Sequence, residues 1–361
     1  MEEKIFANAL NQSLQIDAAA LSKLKKYFGS FKKAWVAPFG KFAAAAGKKK
    51  IVEFRADVDP EKEFKILEKE NIKILLEEEF PALLKEIFTP PQILYIKGTL
   101  PGEQGDETEE KIYLTVVGPR RFSAYGKGVC EKIITDLATL AGPEKIIIVS
   151  GMALGIDTIA HKTALKNNVK TIAVLGNGLS DEAIFPPQNL PLAREITQKG
   201  CLVSEYPLNM KATYFTFPQR NRIAAGLSHG TLVVEAPQRS GSLITAFLAL
   251  ENNREVFAVP GGIFSANSEG TNNLLKLGAS PVTTAEDILR ALGIETENRQ
   301  TIAEANLSPE EQKIISLLFE PLERDELIRK SGLSPREINP ALTQMEIKGI
   351  IKELGNRIYK I

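Results

Sequence analysis

The spacing of apolar positions changes character along this chain. Up to about residue 78, apolar residues such as Leu21, Leu24, Tyr27 and Phe28 fall on one helical face, Gly29 interrupts them, and Phe31, Ala34 and Trp35 resume the pattern. That spacing predicts helix, short turn, helix. Pro60 and Pro81 stand where the first-turn prolines of two more helices belong. From Lys111 onward short β-branched runs alternate with helical patterns, predicting strands at 112–117, 145–149, 171–175, 201–206, 230–236 and 255–259. Repeated strand–helix units predict an α/β fold built on a parallel, doubly wound sheet, with ligands beyond the carboxyl ends of its strands. After residue 307, helices at 309–318, 324–330 and 334–348 lead to a strand pair at 350–354 and 357–361, turning at Gly355-Asn356.

Composition narrows the partners without naming one. The 361 residues are 43% apolar and 25% charged, enough for a sizeable core in two or three domains. Lys plus Arg and Asp plus Glu both number 45, so any polyanion site is a local patch rather than a global field. Cys130 and Cys201 form no metal-binding motif, which suits a reducing cytoplasm. The first residues lack the pattern of a signal peptide, and the longest apolar run, 243–250, is too short to cross a bilayer. The acidic, turn-rich 102–110 reads as an exposed loop, and the Lys48–Lys50 cluster as a solvated surface run.

Chemistry concentrates in the loops after the strands. In 146–165, IIIVSGMALGIDTIAHKTAL, a buried strand passes through Gly151 and Gly155 into a helix, with Asp157 at the expected cap. Glycines admit close backbone approach, and the helix start offers free N–H groups, so an anion is the expected guest. Gly118 opens a loop in which Arg120 and Arg121 precede Ser123, a candidate cap of the next helix. In TFPQRNR, Arg220, Asn221 and Arg222 are placed at a helix start, where cations call for a negative partner. Just upstream, Lys211, Tyr214, Phe215 and Phe217 mix charge with aromatics, as single-strand binders do. Arg239, Ser240, Gly241 and Ser242 make a further polar loop. No P-loop motif, metal-binding carboxylate cluster or cofactor fingerprint is complete, and His161 and His229 are expected to have packing or turn roles rather than catalytic ones.

The motifs VVGPRRFSAYG, SGMALGIDTIAHKTAL, TIAVLGNG, SEYP, FPQRNRIAAGLS, RSGSLITAFLALENNREVFAVPG and GTNNLLKLGA, in that order across 116–279, resemble those of the DNA-processing protein A family (DprA, also called Smf). The resemblance implies an N-terminal helical (helix-hairpin-helix) domain at 1–78, a Rossmann-like DNA-binding domain at 79–294, a linker at 295–306 and a winged-helix domain at 307–361. It further implies a cytoplasmic, non-enzymatic homodimer that binds single-stranded DNA, protects it during natural transformation and loads the RecA recombinase. On that analogy Arg120, the Gly151 loop, Lys211, 217–222 and 240–242 line the DNA pocket. The family commonly has arginine at the position of Leu154 and serine at that of Pro119. The rival expectation is a nucleotide phosphoribohydrolase resembling the LOG family, but Ser240 to Thr245 carries no carboxylate where that family's PGGxGTxxE motif needs one.

Overall fold

A computed structural model of the chain describes residues 1–13, 16–47, 51–101, 111–294, 307–347, 350–355 and 357–360. The expectations for 48–50, 102–110 and 295–306, and those resting on Lys348 and Asn356, lie outside the described residues. The chain forms two compact units, Met1–Ile294 and Glu295–Ile361.

The first unit is organised by a nine-stranded sheet. Its strands are β1 (Ile72–Leu76), β2 (Ile93–Gly98), β3 (Ile112–Val117), β4 (Ile146–Ser150), β5 (Lys170–Val174), β6 (Cys201–Ser204), β7 (Gly230–Val233), β8 (Glu255–Ala258) and β9 (Ser280–Pro281). Their spatial order is β1-β2-β6-β5-β4-β3-β7-β8-β9. All pairings from β6 across to β9 are parallel, while β1 with β2 and β2 with β6 are antiparallel. Continuous apolar sequence such as Ile146–Ser150 suits a strand covered on both faces, and all of it is buried. The chain steps outward from β3 through β4 and β5 to β6, then returns to place β7 on the other side of β3. A crevice opens at such a reversal, beyond the carboxyl ends of β3 and β7.

The amino-terminal helices pack onto this sheet. Asp17 caps Ala18–Phe28 by accepting from the Ala20 N–H, Gly29 ends that helix at φ +79°, and Ser30 caps Phe31–Val36. Leu10, Leu21, Leu24, Phe31 and Phe42 share one apolar core with Ile72, Tyr95 and Leu202 of the sheet. Tyr95 ties the layers together: its hydroxyl accepts from Asn11 Nδ2 at 3.1 Å and donates to Asn8 Oδ1 at 2.9 Å. The expectation of helix throughout 1–78 is corrected at Ile72–Leu76. This apolar run pairs with β2 as the edge strand, because Ile72, Ile74, Leu75 and Leu76 have a sheet to bury against.

The second unit has helices Pro309–Ile315, Arg324–Ser331 and Pro335–Ile347. A three-stranded antiparallel sheet places Arg357–Lys360 between Leu322–Glu323 and Ile351–Leu354. This is a winged helix with its own core, including Leu327, Ile338, Leu342 and Ile358. Among the described residues no helix is long and apolar enough to cross a membrane.

Candidate functional site

Two glycines shape the edge of the sheet beyond β3 and β4. Gly155 has φ +90°, and a Cβ there would come within 2.3 Å of the Pro119 carbonyl oxygen and 2.8 Å of Arg120 Cα. The loop after β3 therefore crosses directly over the start of the helix Ile156–Lys166, whose first N–H reaches the Pro119 carbonyl at 3.4 Å. This crossing sets Arg120, which is exposed, at the edge. Gly151 serves an interior neighbour: its Cβ would lie 2.2 Å from Arg220 Nη1. The space beside Gly151 that the glycine-rich loop is expected to leave for a ligand is filled by the Arg220 guanidinium.

Arg220 is only 5% exposed. One guanidinium nitrogen donates to the Val174 carbonyl, and Nε has no hydrogen-bond partner among the described residues. Its counter-charge is Asp157, which is also buried and accepts from the Ala153 N–H at 3.2 Å. Burial raises the Asp157 pKa to about 6, against the opposing pull of Arg220 and of hydrogen bonds from Ala153, Gly151 and Ser150. Burial also lowers the Arg220 pKa, but an arginine keeps its proton in a protein. Helix Thr216–Gly226 begins four residues before Arg220, so the expectation of cations at a helix start is corrected. Arg220 and Arg222 lie beyond the first turn and have anions within the chain. Arg222 forms an ion pair with Glu205 and donates to the Thr89 carbonyl at 2.9 Å. Burial raises the Glu205 pKa while Arg222 opposes it. Asn221 is half-buried between them.

Above Arg220 lies an aromatic and cationic surface. The Arg120 guanidinium sits 5.8 Å from the centroid of the Phe217 ring, within cation–π range. Phe217 packs 3.0 Å from the point where Gly176 would carry a Cβ, and its centroid is 5.8 Å from that of Phe185. Phe185 is exposed and was missed from sequence, although an aromatic before Pro186-Pro187 in a loop after a strand is a signal of a displayed ring. Asn189 was missed too. It donates to the Met152 carbonyl at 2.8 Å and to Thr158 Oγ1 at 2.9 Å, holding the Gly151 loop where Met152 takes φ +64°. Lys211, Tyr214 and Phe215 are exposed in the segment between β6 and helix Thr216–Gly226.

Other sequence-selected residues serve the loops themselves. Gly118 leaves room for Ile156, whose Cγ1 lies 2.5 Å from the position of an added Cβ. Ser123 caps helix Ala124–Ala141 and directs its N–H and hydroxyl to the buried carboxylate of Glu235. Glu235 thus occupies the anion position that Ser123 and that helix start were expected to offer an outside guest. Arg121 is exposed beside this lock. Ser240 caps Gly241–Glu251 by accepting from the Ser242 N–H, and the two hydroxyls are 2.6 Å apart. Arg239 and Gly241 are exposed there, at the carboxyl end of β7 on the far side of β3 from β4. Asp157 is the second residue of its helix, whose cap position is Gly155. His161 is buried, with Nδ1 2.7 Å from Thr171 Oγ1. Because that hydroxyl donates to the Ile148 carbonyl, Nδ1 carries the proton; burial lowers the ring pKa to about 3. His229 accepts from the Tyr113 N–H through Nδ1 at 3.1 Å.

The arrangement can place cations and displayed rings along an extended anion that carries flat groups. The family model for DNA recombination-mediator protein A matches residues 71–293, and that for the DprA winged helix domain matches 298–356. Protein Smf of Synechocystis sp. is 30% identical over 99% of this chain and 98% of its own length. The DNA processing protein DprA of Streptococcus pneumoniae is 41% identical over 60% of this chain and 72% of its own length. The X-ray structure of DNA processing protein A from Streptococcus pneumoniae superposes with a TM-score of 0.67 at 34% identity, covering 80% of this chain and 97% of that one. DNA processing protein A from Helicobacter pylori, whose structure concerns its single-stranded DNA binding mode, gives 0.52 at 29% identity over 61% of this chain and 95% of that one.

Proposed function

Because the chain belongs to the DNA recombination-mediator protein A family, we propose that it binds single-stranded DNA along the carboxyl edge of β3 to β6. The observation that carries this reading is the cation–π contact of Arg120 with Phe217, with Phe185 beside it and buried Arg220 beneath Gly151. Arg120 and Lys211 meet phosphates, while Phe217, Tyr214 and Phe185 offer faces to bases, the division of labour that single strands require. Arg220, balanced by Asp157, supports the Gly151 loop from below without direct contact. Backbone steering and stacking give little sequence choice.

The site binds rather than reacts. Nearby carboxylates are committed to structure: Asp157 to the Gly151 loop, Glu205 to Arg222 and Glu235 to Ser123. Similarity to DNA processing proteins supports a role in natural transformation, with the bound strand protected and passed to the RecA recombinase. A homodimer fits the apolar face that Phe247, Leu250 and Leu277 display on the β7–β9 side. Fluorescence anisotropy with matched single- and double-stranded oligonucleotides across a salt series tests the central claim. Single strands are expected to bind more tightly, with affinity falling steeply as salt rises. Equal affinity for both forms, or a flat salt response, overturns it.

A further inference from the structure

A groove of about 430 Å³ lies between the amino-terminal helices and the loop after β6. Its floor is apolar, with Ile66, Leu67, Leu208 and Met210, and Glu63 adds a carboxylate. Lys211, one of the exposed cations of the proposed DNA edge, forms part of its wall. Both walls are held in place. Gly178 donates its N–H to the Met210 carbonyl at 2.7 Å, and a Cβ on Gly178 would lie 2.0 Å from the Leu208 carbonyl oxygen. On the other side Asn11 Nδ2 donates to the Glu205 carbonyl at 3.0 Å, fastening the first helix beside the same loop.

We propose that this groove receives one base of a bound single strand, next to a phosphate held by Lys211. The inference rests on the single-stranded DNA reading and adds a specificity element to it. A recess with an apolar floor and a carboxylate rejects a phosphate, so a strand passing Lys211 turns its charge outward and a base inward. Ile66 and Leu208 suit the base faces, and the Met210 thioether is a good neighbour for an aromatic ring. The groove is larger than a single base, so a base enters with no rearrangement of either wall. Glu63 accepts from an exocyclic amino group, which cytosine has and thymine lacks. The groove therefore favours cytosine over thymine, a modest selectivity on an otherwise sequence-tolerant surface.

The test uses the full chain and two kinds of single strand, oligo-dC and oligo-dT, together with strands carrying 2-aminopurine at successive positions. Wild type is expected to favour oligo-dC by about threefold, and to change 2-aminopurine fluorescence most at one position. Ile66→Trp, which fills the groove, is expected to weaken binding by ~10-fold and erase that positional signal, with its unfolding midpoint as the control for folding. Glu63→Ala, a change that leaves the floor intact, is expected to retain single-strand binding and lose the dC preference. Equal dC and dT binding in wild type, or a dC preference that survives Glu63→Ala, overturns the proposal, as does wild-type affinity in a folded Ile66→Trp protein; in each case the DNA edge stands. A wild type that fails to bind any single strand overturns both the edge and the groove.

Discussion

Arg220 lies so close beneath Gly151 that a Cβ on the glycine would be 2.2 Å from Nη1, closer than atoms can pack. Gly151→Ala must therefore displace either the guanidinium or the loop. Overpacking of this kind costs about 1–3 kcal/mol. Expected is a lower urea midpoint together with weaker single-strand binding, because the shifted loop also carries the contacts of Asp157 and Asn189. Gly128→Ala, inside helix Ala124–Ala141 where nothing among the described residues lies within 4 Å of an added Cβ, is the control: it is expected to leave single-strand binding unchanged and to raise the urea midpoint, since alanine is favoured over glycine inside a helix by about 1 kcal/mol.

Arg120 and Arg222, both candidate phosphate contacts by sequence, are expected to separate by experiment. Arg120 is exposed over Phe217, so Arg120→Ala should reduce the slope of log affinity against log salt by about one while leaving stability within about 0.5 kcal/mol. Arg222 is the partner of a buried carboxylate, so Arg222→Ala should leave the slope unchanged and cost about 3–5 kcal/mol of stability by stranding Glu205. Salt titrations paired with chemical denaturation decide it. A full-length salt slope in Arg120→Ala, or undiminished stability in Arg222→Ala, contradicts these assignments.

That contrast marks what a linear sequence displays. The alternation after Lys111 and the strand at 146–149 were legible because a parallel sheet buried on both faces demands uninterrupted apolar runs, and β3 to β8 appear where those runs lie. Ile72–Leu76 was not, because a short apolar run becomes helix or strand according to what it meets, and its partner β2 is supplied by tertiary structure. Charge partners were harder still. Arg220 meets Asp157 and Arg222 meets Glu205 across long stretches of chain, so cations that looked available to a ligand are largely neutralised from within. Loops do follow the strand ends where the alternation puts them, yet the display of Phe185 beside Phe217 depends on how two of them fold together.

The Asp157 carboxyl gives the stability a pH dependence of definite sign. Burial raises its folded pKa to about 6, above the value of about 3.9 for an unfolded aspartate. Between those values the folded state binds more protons than the unfolded one, so this group's contribution to stability is fully present below the lower value and is lost as pH rises through about 6. Wild-type stability relative to Asp157→Asn should therefore decline from pH 4 to pH 7, roughly across the window those pKa values span. Urea midpoints at steps of pH check this. Single-strand affinity is expected to follow the charge on Asp157: protonating it leaves the positive charge of Arg220 uncompensated, so wild type should bind more tightly at the acidic end and Asp157→Asn should show no such gain. A difference curve that rises with pH assigns the titration elsewhere.

The last expectation concerns the opposite side of the sheet. Phe247 and Leu250 project from helix Gly241–Glu251, and Leu277 follows helix Glu269–Lys276; their exposures of 46%, 48% and 71% are large for such apolar side chains. Phe247, Leu243, Leu274 and Leu277 also line a groove of about 440 Å³. A two-fold pairing covers the same patch on both copies and needs no second surface. If this face joins two chains, Phe247→Glu combined with Leu277→Glu places like charges across the axis. Wild type should have the mass of two chains by light scattering and the double variant that of one. The variant's monomer should keep its stability to within about 0.5 kcal/mol, since neither side chain is in the core. Single-strand affinity per chain should persist for short oligonucleotides and fall for strands long enough to span two edges, because linkage of two sites raises the effective concentration at the second. A double variant that remains dimeric moves the self-association surface elsewhere, and a monomeric wild type removes it.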